Sequence, residues 1–240
     1  MFLSIIIPCY NEEQRIKKTL TRINEYLSHQ QYESEVIVVD NGSTDTTKAI
    51  VEAYISDMKN LRIISKKSYG KGWAVKQGMI EATGEYRLFT DADNSTDIAH
   101  LDTFLPVAQH EGYDVVISSR RVAGATIAHP QPWHRRILSN MFAFIVRSTM
   151  PLGIKDTQNG FKLFSKKAAK KIFSMQTIYY WAFDVEILAL AKKFDFRIKE
   201  VPIKWMNDED SKMNFKGMAR MLLEVITIRF RMMTNSYTNR

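Results

Sequence analysis

Short apolar runs alternate along the first half of the chain with stretches whose apolar residues recur every three or four positions. Phe2-Leu3-Ser4-Ile5-Ile6-Ile7 is nearly continuous, as expected of a β-strand buried on both faces and stopped by Pro8. Residues 12–29 then place Ile16, Leu20, Ile23 and Leu27 on one helical face. Asn11 is the expected N-cap, with Glu12 and Glu13 favourable in the first turn. The alternation continues with a strand over 35–39, a helix over about 44–57, a strand over 61–65, a helix over 73–82 and a strand over 85–89. A helix over 97–110 carries Leu101, Phe104, Leu105 and Ala108 on one side, and 114–118 is the fifth strand. This order predicts an α/β fold with a parallel sheet covered on both faces.

The second half is less regular. Residues 120–134, rich in Gly, Pro and His, read as a long loop before an apolar helix over 135–150. Gly160-Phe161-Lys162-Leu163-Phe164 starts another element, followed by helices over 166–173 and 183–193. Residues 196–205 read as an extended edge segment, and most of 214–234 as helix. On that last helix Arg220, Glu224, Thr227, Arg231 and Thr234 trace a polar side, with Met218, Leu222 and Val225 opposite. Arg229 falls on the apolar side, where it either meets a headgroup, phosphate or acidic partner or lies across the core with its tip in water. The domain expectation is one unit over 1–205 with an acceptor-side loop and amphipathic helical tail over 206–240.

Composition narrows the partners without choosing one. The 240 residues are 45% hydrophobic and carry a formal charge of +8, enough apolar material for a substantial core. Residues 1–120 hold 13 Lys+Arg against 17 Asp+Glu, net −4; residues 121–240 hold 21 against 9, net +12. A basic second half suits nucleic acid, anionic lipid or a phosphorylated substrate. Aromatic residues do not interleave with one continuous basic groove, which makes a nucleic-acid binder the weaker alternative. The single Cys9 excludes an internal disulfide and a cysteine-rich zinc site. Met1 opens on a strand rather than a signal peptide, and no apolar run approaches the length of a membrane span, so any membrane contact is expected at its surface.

The chemistry gathers at strand ends. Asp91 and Asp93 follow Tyr86-Arg87-Leu88-Phe89-Thr90, and two carboxylates this close repel unless a cation compensates. Mg²⁺ or Mn²⁺ there would stabilise charge on a leaving diphosphate. Asp40, with Asn41-Gly42-Ser43, ends the strand upstream, and two acidic strand ends suit a nucleotide lying across neighbouring strands. Gly70-Lys71-Gly72 departs from both the P-loop and the dinucleotide fingerprint, yet two glycines before a helix admit a phosphate closely and make Lys71 a candidate contact. Asp156-Thr157-Gln158-Asn159-Gly160 is dense in groups able to orient a sugar or a proton-transfer partner.

These stretches carry a resemblance. Ile7-Pro8-Cys9-Tyr10-Asn11-Glu12, Val39-Asp40-Asn41-Gly42-Ser43-Thr44-Asp45, Gly70-Lys71-Gly72 and Asp91-Ala92-Asp93 resemble family 2 glycosyltransferases of the GT-A fold. Ser119-Arg120-Arg121, Asp156-Thr157-Gln158-Asn159-Gly160-Phe161-Lys162 and Trp181-Ala182-Phe183-Asp184-Val185-Glu186 are similar to the dolichyl- and polyprenyl-phosphate β-glucosyltransferase branch, with the last two the most specific. The resemblance runs from residue 3 to about 212. It implies a nucleotide-diphospho-sugar transferase fold, mostly parallel, with a C-terminal helical tail, and inverting transfer of glucose from UDP-glucose to dolichyl or polyprenyl phosphate. GDP-mannose or UDP-N-acetylglucosamine as donor, or a carbohydrate acceptor, are the alternatives.

Carried over residue by residue, it puts base and ribose near Pro8, Tyr10, Glu12 and Asp40, and diphosphate and metal at Asp91 and Asp93. Asp156 becomes the proposed base, Lys212 lies near phosphate, and Arg120 and Arg121 are further phosphate contacts. The implied location is cytoplasmic and peripheral, at the membrane's cytoplasmic face, without the large C-terminal membrane domain of some relatives. Asn41 departs from the pattern, standing where many relatives have Asp, and the Gly commonly preceding Ser211-Lys212 is missing.

Overall fold

The computed structural model describes residues 1–66, 69–128, 133–206 and 215–237. Its first half is the expected alternation: β1 (Leu3–Cys9), α1 (Ile16–Ser28), β2 (Ser34–Asp40), α2 (Thr47–Tyr54), β3 (Leu61–Ser65), α3 (Lys71–Glu81) and β4 (Tyr86–Thr90). A 3-10 turn leads into α4 (Leu101–His110), and β5 (Val115–Ser119) and β6 (Thr126–Ile127) follow. The second half comprises α5 (Trp133–Thr149), β7 (Phe161–Ser165), α6 (Lys166–Met175), α7 (Phe183–Lys193), β8 (Ile198–Pro202), β9 (Lys204–Trp205) and α8 (Phe215–Met233).

Seven strands form one sheet in the order β3-β2-β1-β4-β7-β5-β8. β3, β2, β1 and β4 are mutually parallel, and β5 is parallel to β8. β7 runs antiparallel between β4 and β5, so the sheet is mostly parallel, as the resemblance implied, with one inserted strand of opposite direction. A run as short as Phe161-Lys162-Leu163-Phe164-Ser165 carries no signal of direction, and the antiparallel pairing appears only once its neighbours are known. The helices cover both faces, each over its own buried apolar cluster.

Local departures have local causes. Pro8 does not stop β1: it pairs with Val39 on one side, while pairing with β4 has already ended at Ile6–Phe89. Asn11 does not cap α1. It adopts a left-handed conformation (φ 52°), accepts from Thr44 N–H through its side chain, and leaves α1 to begin at Ile16 without an acidic first turn. The expected loop after Arg120 contains β6, which pairs with β9 in a small second sheet.

The last helix is turned differently from its expected polar stripe. Met221, Val225 and Ile228 are buried in the core beside α5 and α7, joined by Tyr237 beyond the helix end. Glu224 and Arg231 turn inward, onto Ala182 N–H and the Thr177 hydroxyl. Leu223, Ile226, Phe230 and Met233 are 60–69% exposed, and Arg229 is exposed with them. Among the described residues, no helix is long and apolar enough to cross a membrane.

Candidate active site

The C-terminal ends of β1, β2, β4 and β5 open on one edge of the sheet, where an α/β fold leaves room for a ligand. Asp91 follows β4 directly. Its backbone N–H donates to Gly160 O at 3.1 Å, which ties it to the residue before β7. The next turn is held by Thr19 Oγ1 donating to Ala92 O (2.6 Å) and by Ser95 N–H donating to Asp93 Oδ1 (2.9 Å). Asp91, Asp93, Arg120, Gln158, Asn159 and Trp205 line a cleft of about 110 Å³. That is below the ~300 Å³ at which ligand pockets usually begin, so the cleft suits the charged end of a ligand whose remainder lies along the sheet edge.

Two polar groups in this wall face the cleft. Asn159 receives Ser118 Oγ (2.6 Å) and Thr96 Oγ1 (3.3 Å) on Oδ1, but its buried Nδ2 has no acceptor. Asp91 Oδ1 is held by the Lys71 ammonium, 2.6 Å away. Burial, and after it the Asp91 charge, push the Asp93 carboxyl above its ordinary pKa. Burial works against the Lys71 ammonium, but Asp91 and Asp184 outweigh it and keep the lysine charged. Two neighbouring carboxylates, one of them uneasy in its ionised form, with the Lys71 and Arg120 cations beside them, fit a bound metal ion with an anionic ligand. Asp91 and Asp93 are the residues that would hold the ion; the described residues offer no group of three metal-ligating side chains, so a ligand or water would complete its shell.

Asp156 is buried and its side chain is occupied by one partner. Arg120 donates its backbone N–H (3.0 Å) and Nε (2.8 Å) to Oδ2 and Nη2 (2.9 Å) to Oδ1. Burial would raise this carboxyl, but the Arg120 charge and hydrogen bonds win and hold it below the usual range. The same guanidinium lies 5.2 Å from the centroid of the Trp205 ring. Asp156 is thus geometrically a holder of Arg120, a different task from the proton acceptor expected of it.

The other expected site residues divide. Pro8, Tyr10 and Asp40 stand at adjoining strand ends, with Asp40 accepting from Ser43 N–H (3.0 Å) and Ser65 Oγ (2.8 Å). Tyr10 is exposed just past the end of β1. Asn41 accepts Tyr69 N–H (3.0 Å), so its amide fixes the segment beyond β3. Glu12 is close by but pairs with Arg15 Nη2 at 2.6 Å. Arg121 is not brought into the cleft: it donates to Asn140 Oδ1 (2.8 Å) and Ser139 Oγ (3.2 Å) on α5. Lys212, with the rest of the expected Asp210-Ser211-Lys212 loop, lies outside the described residues.

Asn159 lines the cleft from within a motif already singled out, and Trp205 joins it from β9, but sequence reasoning missed the buried ion pair between Lys162 and Asp184 beside the Lys71 ammonium. Lys162 and Asp184 both stand inside motifs already singled out, but nothing in those motifs pairs them across the sheet.

The model of the glycosyl transferase family 2 matches residues 4–173, which spans every strand end described above except those of β8 and β9. The chain belongs to family 2 of the glycosyltransferases. Among curated family members it is 34% identical to the dolichyl-phosphate beta-glucosyltransferase of Dictyostelium discoideum, over 96% of this chain and 75% of that protein. The human protein of the same name is 34% identical over 98% of this chain and 77% of its own length. Solved structures show the same fold at lower identity. Glucosyl-3-phosphoglycerate synthase from Mycobacterium tuberculosis, in complex with Mg²⁺ and UDP, has a TM-score of 0.69 at 19% identity, covering 96% of this chain and 79% of that one. Mannosyl-3-phosphoglycerate synthase from Rubrobacter xylanophilus has a TM-score of 0.70 at 16% identity, covering 98% and 75%. The glycosyltransferase fold is therefore of the GT-A type, with its acidic Asp91-Ala92-Asp93 turn at the cleft.

Proposed function

We propose that this glycosyltransferase moves glucose from UDP-glucose to dolichyl or polyprenyl phosphate with inversion, giving a β-linked lipid phosphate sugar. The carrying observation is the gathering of Asp91, Asp93 and Arg120 in one cleft, with Lys71 Nζ 2.6 Å from Asp91 Oδ1. The names of the similar curated proteins supply the sugar and the lipid phosphate, and a likeness in fold to a synthase solved with Mn²⁺ and UDP-glucose supports the donor.

Asp91 and Asp93 would hold Mg²⁺ or Mn²⁺, which supplies positive charge beside the leaving diphosphate. Tyr10 and Asp40 would take the base and ribose, and Lys71 would face the phosphates. An acceptor phosphate oxygen attacks C1 of glucose; the C1–O bond to the diphosphate breaks, and UDP leaves with that electron pair. No proton has to move, because a phosphate oxygen is already anionic at neutral pH, and this agrees with an Asp156 committed to Arg120. Arg120 would then present positive charge to the acceptor phosphate.

The same reading places the chain at a membrane surface. α8 carries its exposed stripe and packs against α5, whose Phe144 and Met141 are also exposed, and Arg147, Arg220 and Arg229 are exposed on the same two helices. An anionic bilayer matches apolar and basic groups together, and the proposed location is peripheral, on the cytoplasmic face. Purified protein given UDP-glucose, GDP-mannose and UDP-N-acetylglucosamine with short polyprenyl phosphates tests the reaction. Product mass and anomeric configuration should show a β-linked glucosyl phospholipid. An α-linked product, or transfer only to a hydroxyl, rejects it.

A further inference from the structure

Glu186 is fully buried and takes no part in the chemistry above. Its carboxylate accepts Thr177 N–H (3.0 Å to each oxygen), Thr177 Oγ1 (2.5 Å), Ile178 N–H (2.8 Å) and Tyr237 OH (2.8 Å). Arg231 of α8 donates to the Thr177 hydroxyl. One buried carboxylate therefore fastens two things: the segment between α6 and α7, and the chain just past the end of α8.

That segment is what α3 starts against. Gln176 Nε2 donates to Gly72 O (2.9 Å), Trp73 N–H donates to Tyr179 O (3.2 Å), and Lys76 Nζ donates to Gln176 O (2.7 Å). The approach is too close for side chains: a Cβ at Gly70 would stand 2.3 Å from Tyr179 O, and one at Gly72 2.6 Å from Phe183 Cβ. Lys71 lies between these two glycines and reaches Asp91. A continuous path of short contacts therefore runs from Tyr237 and Arg231, through Glu186 and Thr177, to the lysine that pairs with the metal-site carboxylate.

We propose that Glu186, with Tyr237, is a positioning residue for the donor: it holds the 176–179 segment, and through it Gly70-Lys71-Gly72, in the arrangement that aims Lys71 at the diphosphate. The tail after α8 is then part of the donor site although it touches no substrate. This rests on the donor assignment above. Tyr237→Phe removes one hydroxyl while keeping the ring, and Glu186→Gln is the harsher companion. In Tyr237→Phe, the KM for UDP-glucose should rise about five- to tenfold while kcat stays within about twofold. The change should vanish when Lys71 is already Met, because the path then ends in nothing. A loss of equal size in both backgrounds, or an unchanged KM, overturns the proposal.

Hydrogen exchange in the ligand-free protein separates this from the donor assignment. Amides of 71–73 should exchange faster in Tyr237→Phe and Glu186→Gln, with 101–110 unchanged. Unchanged exchange at 71–73 overturns the path whatever the substrate, whereas faster exchange in a protein that binds no UDP would sink only the donor reading.

Discussion

Gly160 leaves the space that Asp91 fills: a Cβ on Gly160 would stand 2.1 Å from Asp91 Oδ2 and 2.3 Å from its Cγ. The glycine's φ is not positive, so alanine is acceptable to the backbone and only the carboxylate must move. Gly160→Ala should therefore fold, with a Tm within a few degrees of wild type, yet lose at least tenfold in Mn²⁺-dependent UDP affinity, about 1.4 kcal/mol. Calorimetry with and without Mn²⁺ measures this. Retained metal-dependent affinity would show that Asp91 does not set the site's geometry.

Acid should weaken metal binding early. Cation binding needs Asp93 ionised, and its raised pKa means that protons compete at a pH where an ordinary aspartate, near 3.9, is still charged. The sign for folding is opposite: without metal, a carboxyl with a raised folded pKa gives up stability as pH rises through that pKa. UDP affinity in Mn²⁺ should fall on acidification above the ordinary aspartate range, while Asp93→Asn should be weak at every pH. A profile flat down to pH 4 would remove Asp93 from the metal.

Much of this site could be read from residues alone because buried parallel strands are continuous apolar runs, and their polar ends stand out. Asp40, Asp91 and Asp93 were visible for that reason. The Arg120–Asp156 pair was not, because it requires β7 to enter between β4 and β5, and strand order leaves no trace in a five-residue run. The turn of α8 was misread for a different reason. Apolar residues lie nearly all round that helix, so the period had no single solution, and the heads of Glu224 and Arg231 are satisfied by backbone and hydroxyl partners on the core side. Asn11 looked like a cap because the residue types that cap helices also tolerate the left-handed conformation it adopts.

Removing Asp156 should separate turnover from donor binding. Asp156→Asn leaves Arg120 largely buried without its counter-charge, and disrupting such a pair costs about 3–5 kcal/mol. Stability from this pair is present above the unfolded pKa of Asp156 and is lost as pH falls through its lower folded value, so the variant should differ least from wild type in strong acid. Turnover should drop by more than tenfold with UDP affinity changed less than threefold. Equal losses in both would place Asp156 on the donor side.

Strand order also predicts how the chain tolerates a cut. β7, from residues 161–165, hydrogen-bonds to β4 on one edge and β5 on the other, so a break near residue 120 separates it from both partners. Fragments 1–120 and 121–240 expressed apart should show no cooperative unfolding, and should regain it when refolded together. A stable fragment 1–120 would contradict the inserted strand.

Charging the outer side of α8 tests the membrane face against the core. Phe230 is 66% exposed and Phe144 65% exposed, so glutamate at both positions disturbs little packing and should leave Tm and UDP affinity unchanged. At an anionic bilayer the same change removes two aromatic anchors and sets two negative charges among Arg147, Arg220 and Arg229, whose attraction to such a surface is about 1 kcal/mol per basic residue. Flotation with phosphatidylserine-containing vesicles at low salt should carry the wild type and leave Phe144→Glu/Phe230→Glu behind. Turnover of a long polyprenyl phosphate in vesicles should fall with it, while turnover of a short, water-soluble analogue should not. If the wild type fails to float, these helices do not dock on an anionic bilayer, and their exposed aromatic residues need a protein partner.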